Sequence, residues 1–259
     1  MNIGVLGTGQ ISSSLVRGFC TDTAGKDLHF YVSPRNREKA AALAAAFPEQ
    51  VTVCETNQQV VDQSEWVLLA LLPPQAEEIL RPLRFRQEQN IITLISDHGL
   101  EEIVSWTGPV RKAIRMVPLP FAELHMGPIV YCPKDTEVEQ LFAPLGQVLA
   151  LDGEEKLNTV LTMTALMSPF YLLIHKTVEW GKDHGLSDRT ALDYMSSFFE
   201  ALSAMAQRAP DSEAVRMLCC DTTKGGLNES AYQWIESGGG YTFWLQAMDQ
   251  VWDRLNKTE

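Results

Sequence analysis

The first twenty residues, MNIGVLGTGQISSSLVRGFC, restrict the possible folds more than any other stretch of the chain. Ile3 to Leu6 form a short apolar run bounded by turn residues, which reads as a buried parallel strand. Gly7, Thr8 and Gly9 follow at once. Ile11, Leu15, Val16 and Phe19 then recur at helical spacing, so a helix is expected from about Gln10. Strand, glycine turn and helix are the context in which a G-x-G-x-x-G-like match carries meaning. Gly7 makes a turn that a side chain would block, and Gly9 leaves room for a pyrophosphate against the backbone. The N–H groups of the first helical turn, at the positive end of the helix dipole, hold the anion. The third position is Ser12, small enough for helix–strand packing and carrying a hydroxyl within reach of a phosphate. An ordinary βα turn with two glycines is the competing reading.

A second strand, HFYV at 29–32, ends at Ser33, Pro34, Arg35 and Asn36. A dinucleotide fold that binds NAD places an acid at this point for the ribose 2′-hydroxyl. None stands here. Ser33 and Arg35, with Asn36 or Arg37, offer donors and positive charge suited to a 2′-phosphate, which points to NADP. The alternative is that Arg35 and Arg37 simply open a solvated helix at 37–47. Further strands are expected at 51–54, 66–72, 91–95, 112–117 and 127–131. WVLLALL at 66–72 is the most continuous apolar run and reads as a central strand buried on both faces. It stops at Pro73, Pro74 and Gln75, ahead of a helix at 76–83. Strands alternating with helices to about residue 150 imply a doubly wound, mainly parallel sheet. Its ligands lie outside the C-terminal strand ends. His98, in the loop after the strand at 91–95, is a weak catalytic candidate.

From Glu154 onward strand signals are few. Helices are expected at 157–180, interrupted near Ser168 and Pro169, and at 188–208, 212–220, 230–235 and 241–255, with a polar tail at 256–259. The fold class is therefore α/β: an N-terminal Rossmann-like doubly wound sheet over 1–152, followed by an all-α C-terminal domain over 153–259.

The chain carries 21 basic and 33 acidic residues, a formal charge of −12. That balance argues against a general binder of nucleic acid or acidic membranes, although a helix terminus can hold an anion on an acidic protein. No apolar run is judged long enough to span a bilayer, and the N-terminus enters a strand directly rather than through a leader. The five cysteines, Cys20, Cys54, Cys132, Cys219 and Cys220, match no zinc or redox spacing and read as reduced thiols of a cytoplasmic protein. They are expected to be mostly packed, the adjacent Cys219 and Cys220 included, with reactivity of that pair as the alternative. No cluster of His, Cys, Asp and Glu has metal-ligand spacing.

Across nearly its full length the chain resembles the pyrroline-5-carboxylate reductase family. GTGQIS stands where that family has its N-terminal glycine motif. VSPRNREK resembles its second-strand end, with the arginine of NADPH-binding members. Asn57 and QQVVDQSEWVLLALLPPQ resemble its asparagine, helix and strand ending in Lys-Pro-Gln. AIRMVPLPFAELHMG is similar to its Arg-x-Met-Pro-Asn-x-Pro-Ala segment. Thr223, Lys224, Gly225, Gly226, Leu227 and Asn228 occupy the place of Ser-Pro-Gly-Gly-Thr-Thr, the loop that opens a helix and holds the imino-acid carboxylate. Four departures stand out: Leu72 for lysine, Leu119 for asparagine, Leu166-Met167-Ser168-Pro169 for Gly-Ser-Gly-Pro, and Leu227-Asn228 for Thr-Thr.

The resemblance implies an NADPH-dependent reductase of a cyclic imino acid, 1-pyrroline-5-carboxylate to proline or a related substrate. Cofactor contacts would come from Gly7, Thr8, Gly9, Gln10, Ile11, Ser12, Ser33, Arg35, Asn57, Leu71 and Pro73. Thr223 and Asn228 would be the catalytic pair. Lys224, Gly225, Gly226 and Leu227 would bind substrate, the Gly225-Gly226 turn aiming N–H groups at its carboxylate. A homodimer or higher homo-oligomer through the Met- and aromatic-rich helical half is also implied. Competing readings are another NADP-dependent oxidoreductase, acting on imines or hydroxy acids or linked to a deazaflavin, and a non-catalytic NADP-binding regulator.

Overall fold

The structure is a computed structural model, and it describes residues 1–256. It divides into two compact units, Met1–Val160 and the residues from Leu161 onward. The first unit runs β1 (Asn2–Leu6), α1 (Gln10–Thr21), β2 (His29–Val32), α2 (Arg37–Ala46), β3 (Val51–Val53), α3 (Asn57–Asp62), β4 (Trp66–Leu69), α4 (Pro73–Leu80), β5 (Asn90–Thr93), α5 (Leu100–Thr107), β6 (Lys112–Val117), β7 (Pro128–Cys132), α6 (Thr136–Phe142) and β8 (Gln147–Ala150). The strands form one sheet in the order β3-β2-β1-β4-β5-β6-β7-β8. Every neighbouring pair is parallel except β6 with β7. The Rossmann-like, doubly wound reading holds.

The apolar runs explain the layering. Along β1 and β4 alternate residues turn to opposite faces. Ile3, Val5, Trp66 and Leu68 join Phe19, Phe30 and Phe142 in one cluster. Leu6, Val67 and Leu69 join Val60, Leu80 and Ile91 in the other. A strand buried on both faces has no polar alternation to show, which is why 66–69 reads as a continuous hydrophobic run.

Three local expectations need correction. The central strand ends at Leu69, not Leu72, and α4 begins at Pro73 and ends at Leu80 rather than spanning 76–83. Proline is favoured in the first helical turn, where its missing N–H has no partner to lose, so Pro73 and Pro74 open the helix instead of only stopping the strand. Pro169 likewise sits in the first turn of a helix, and the break in the long helical pattern falls just before it.

The remaining helices are α7 (Glu155–Thr164), α8 (Met167–Asp183), α9 (Asp188–Gln207), α10 (Ser212–Cys220), α11 (Leu227–Ser237) and α12 (Gly240–Asn256). The boundary between units falls inside α7 rather than at Asp152. The first turn of α7 belongs with the sheet, because Leu157 packs with Val130 and Cys132. α11 starts at Leu227, three residues earlier than the pattern suggested. Of the expected polar tail, 257–259 lie outside the described residues.

Within the helical unit α8 packs on α9, with the rings of Phe170 and Phe199 edge to face at 5.2 Å and Gly181 close against Ala191. Among its described residues only Thr162, Val178, Gly181 and Ala191 are buried. The expectation that no segment could span a bilayer is overturned on length and composition: Glu155–Asp183 reaches a mean hydropathy of 1.5 over its most apolar window. A turn at Ala165 and Leu166 divides that segment.

Candidate functional site

Strand order reverses between β1 and β4. The chain runs outward from β1 through β2 to β3, then returns to the other side of β1. In an open α/β sheet the crevice at such a reversal, beyond the C-terminal strand ends, is where a nucleotide lies. A cavity of about 620 Å³ opens there, lined by Gly7, Thr8, Gly9, Arg35, Asn36, Arg37, Ala70, Leu71, Leu72 and Gln75. An adjoining cavity of about 610 Å³ shares Arg35, Arg37 and Gln75 and adds Pro34, Asn57 and Glu78.

The glycine turn is built for this place. Gly7 has φ +98°, and a Cβ there would meet the Ala70 carbonyl oxygen at 2.3 Å. Only glycine satisfies both conditions. A Cβ on Gly9 would meet nothing within 4 Å, so its backbone stays open to the cavity. The N-cap, Gly9, has no side chain to cap the first turn of α1, so the N–H groups of that turn beyond Gly9 suit an anion. Thr8 Oγ1 is buried without a hydrogen-bond partner in the described structure. A buried hydroxyl left unpaired is costly, and a diphosphate oxygen at this turn would satisfy it. These features fit a dinucleotide.

Two serines expected at the cofactor have other work. Ser12 Oγ donates to the Gly7 carbonyl at 2.7 Å and accepts the Gly9 N–H at 3.0 Å. Ser33 Oγ accepts the Gly7 N–H at 2.9 Å. Both side chains are buried. They brace the turn from behind, where a small hydroxyl can satisfy the backbone, and neither lines the cavity. Asn36 caps α2 by accepting the Lys39 N–H at 3.3 Å.

Arg35 and Arg37 are exposed and line both cavities. Of the ion pairs found among the described residues none involves either. Two uncommitted guanidinium groups on so acidic a chain make a local site for a phosphate dianion. Leu71 lies in the cavity wall and Asn57 in the adjoining one. Gln10, Ile11 and Pro73 open α1 and α4 beside the crevice without lining it.

Sequence reasoning missed one residue of the crevice and one buried ion pair. Gln75 faces both cavities, and its Oε1 is buried without a partner; the Pro-Pro-Gln tripeptide was the available signal. Arg115, almost wholly buried, pairs with Glu154 at 2.9 Å and also donates to the Ser96 carbonyl. Glu154 Oε1 in turn accepts the Leu100 N–H at 3.0 Å. This cluster joins the ends of β5 and β6 to the start of α5. His98 is occupied structurally: Nδ1 lies 2.9 Å from Glu102 Oε2, Nε2 lies 3.3 Å from the Pro73 carbonyl, and the ring meets Trp106 edge-on.

Residues 223–228 belong to the second unit and lead into α11. The Gly226 N–H donates to the Thr223 carbonyl at 2.8 Å. The Gly225 N–H donates to Glu229 Oε2. Both N–H groups expected to face a substrate carboxylate thus have internal acceptors: Gly226 closes the turn, and Glu229 lies in the first turn of α11, near enough to reach back. Thr223, Lys224, Leu227 and Asn228 are exposed.

Residues 2–96 match the family described as NADP oxidoreductase coenzyme F420-dependent. That span holds β1 to β5, every element around the crevice. A pyrroline-5-carboxylate reductase of Treponema pallidum is 31% identical over 94 residues, 36% of this chain and 35% of the relative. The matched stretch is about a third of that relative's length. In three dimensions the chain is similar to the 1-pyrroline-5-carboxylate reductase of Streptococcus pyogenes, with a TM-score of 0.84, 19% identity, and coverage of 100% of this chain and 99% of the other. The Plasmodium falciparum pyrroline carboxylate reductase with NADP bound also gives a TM-score of 0.84, at 14% identity, covering 98% of this chain and 97% of the other. The resemblance read from the motifs is borne out in sequence over 94 residues and in fold over the whole chain.

Proposed function

We propose that this chain is a divergent relative of the pyrroline-5-carboxylate reductases and an NADPH-dependent reductase of the C=N bond of a cyclic imino acid, 1-pyrroline-5-carboxylate or a related imine. The observation that carries the reading is the crevice at the β1/β4 reversal, with an unpaired Thr8 hydroxyl and an open helix start at one end and two uncommitted arginines at the other.

Reduced nicotinamide, when bound, supplies the hydride. The chain's part is to hold and orient. Gly9, Thr8 and the first turn of α1 take the diphosphate, and Arg35 with Arg37 takes the 2′-phosphate. Leu71 and Leu72 give the crevice an apolar wall. Thr223 and Asn228 contribute a hydroxyl and an amide to orient the imine, and Lys224 places a cation beside them.

A second substrate reading, an imine without a carboxylate, is favoured by one observation: the Gly225 N–H already serves Glu229.

The helical unit reads best as one half of a homodimer. Phe170, Tyr171, Leu172, Trp180, Tyr194 and Phe198 are all exposed on α8 and α9. So little buried surface does not repay the cost of ordering such a unit alone. A second copy, rather than a bilayer, is the reading for this face, because α9 continues it while also carrying Asp188, Arg189, Asp193 and Glu200.

The test is a titration with NADPH and NADH, followed by an imine panel with and without carboxylates, read at the reduced-nicotinamide band. Preferential NADPH binding with oxidation by cyclic imines is expected. Very weak, equal binding of both cofactors removes the enzyme reading, and tight binding without turnover on any imine or carbonyl leaves a regulator. Sedimentation at micromolar concentration should give twice the 28.9 kDa chain mass; a monomer rejects the dimer.

A further inference from the structure

The five thiols fall into two groups. Cys54 and Cys132 are buried and Cys20 is half-buried. Burial pushes the Cys20 thiol up to about 11 and raises those of Cys54 and Cys132, which makes all three poor nucleophiles. Cys219 and Cys220 are both exposed, side by side in the last turn of α10. Arg216, one turn earlier and bound to Glu213, has a guanidinium nitrogen 4.0 Å from Cys220 Sγ. The chain then passes through Asp221 and Thr222 into the loop at 223–228.

We propose that Cys219 and Cys220 form an oxidisable dithiol whose closure reshapes the loop that follows α10. The oxidant class is a peroxide. One thiolate attacks a peroxide oxygen, the O–O bond breaks, and water leaves a sulfenic acid on sulfur. The neighbouring thiol attacks that sulfur, the S–S bond forms, and a second water leaves with the remaining proton. Two electrons pass from the sulfur pair to one peroxide, which becomes two waters.

The backbone supplies the coupling. Adjacent side chains on a helix do not face each other. Their Cα atoms are about 3.8 Å apart, shorter than the roughly 4.4–6.8 Å that disulfides normally span. The ring cannot close on an intact helical turn. Closure must therefore break the bonds that end α10, Asp221 N–H to the Met217 carbonyl and Thr222 N–H to the Cys220 carbonyl, both 2.9 Å. Those bonds set the direction in which the chain enters Thr223. Because the ring is strained, a dithiol reductant reopens it readily. The chemistry of the pair is independent of the reductase reading; only its effect on turnover rests on it.

The experiment treats the full-length protein with hydrogen peroxide and maps the tryptic peptide 217–224, which contains both cysteines and no other. The expected result is a peptide lighter by two hydrogens, restored by dithiothreitol, absent from Cys219→Ser and Cys220→Ser, and accompanied by faster amide exchange across 221–228. Oxidation of Cys20, Cys54 or Cys132 before this peptide changes, a disulfide that joins two chains, or unchanged amide exchange in the closed form overturns the proposal. NADPH affinity is measured on both forms and is expected to match. A closed form with altered exchange but no imine turnover in either state supports the dithiol and counts against the reductase reading alone.

Discussion

Glu229 reaches back from the first turn of α11 to accept the N–H of Gly225, so the loop carries its own carboxylate where a substrate carboxylate was expected. An anionic substrate must displace that contact and tolerate a like charge. Glu229→Gln keeps the side-chain length and removes the charge. The expected outcome is a fall of about threefold to tenfold in KM for carboxylate-bearing imines, the scale of one ordinary hydrogen bond of about 0.5–1.5 kcal/mol, with little change for neutral imines. Steady-state kinetics on matched pairs of substrates checks this; an equal effect on both classes means that Glu229 does not face the substrate.

The two loop glycines separate folding from binding. Gly7→Ala puts a Cβ against the Ala70 carbonyl at a positive φ and should destabilise the chain by about 2 kcal/mol or more. Gly9→Ala meets open space, so denaturation should be nearly unchanged while NADPH binding weakens, the methyl group standing where the diphosphate would lie. Urea titration paired with cofactor titration distinguishes the two.

Arg35→Ala removes a guanidinium that no ion pair among the described residues engages. NADPH affinity should fall by about tenfold to a hundredfold, the cost of losing a charged hydrogen bond of about 1.5–3 kcal/mol, while NADH affinity holds. Unchanged discrimination between the two cofactors would place the 2′-phosphate elsewhere.

Lys112 sits between Asp135 and Glu137, 2.6 Å and 3.1 Å away. Burial of Asp135 disfavours its charge, but the bonds from Lys112 and from the Val138 and Glu137 N–H groups outweigh burial and hold its carboxyl below the usual range. A carboxyl with a lowered folded-state pKa adds stability above its unfolded value and loses it as pH falls through the folded value. Burial works against the Lys112 charge too, yet its two carboxylate partners raise it, so its share persists below the ordinary lysine range and is lost as pH rises through the raised value. Lys112→Met should therefore cost stability at about pH 7 and less at about pH 3, below the ordinary carboxyl values, where the stability held by the lowered carboxyls is being lost. Denaturant midpoints for parent and variant at both values provide the measurement; a constant gap would assign the loss to packing against Trp66.

How much of the site could be read from residues alone depended on the span of each contact. The Gly7-Thr8-Gly9 turn, the strand before it and the helix after it lie within twenty residues, and local sterics with hydrophobic period are enough to specify them. The arginines after β2 were legible for the same reason: charge at a strand end needs no partner to be noticed. Ser12 and Ser33 were recognised, but the bonds they make to the glycine turn were not. Ser33 meets Gly7 across 26 positions, and nothing local distinguishes a hydroxyl that braces a turn from one that binds a phosphate. Arg115 and Glu154 are 39 positions apart and become a pair only once β6 and the start of α7 are brought together.

Composition and periodicity were thus sufficient for the doubly wound sheet, the glycine turn and the helical second unit, because each follows from forces acting over one or two turns of chain. Packing settled the rest: which hydroxyls support the crevice, where Gln75 and Arg115 act, that Glu229 occupies the Gly225 N–H, and that the helical unit leaves its aromatic face uncovered. Those outcomes depend on desolvation and hydrogen-bond closure between distant segments, and neither has a value until the chain has folded.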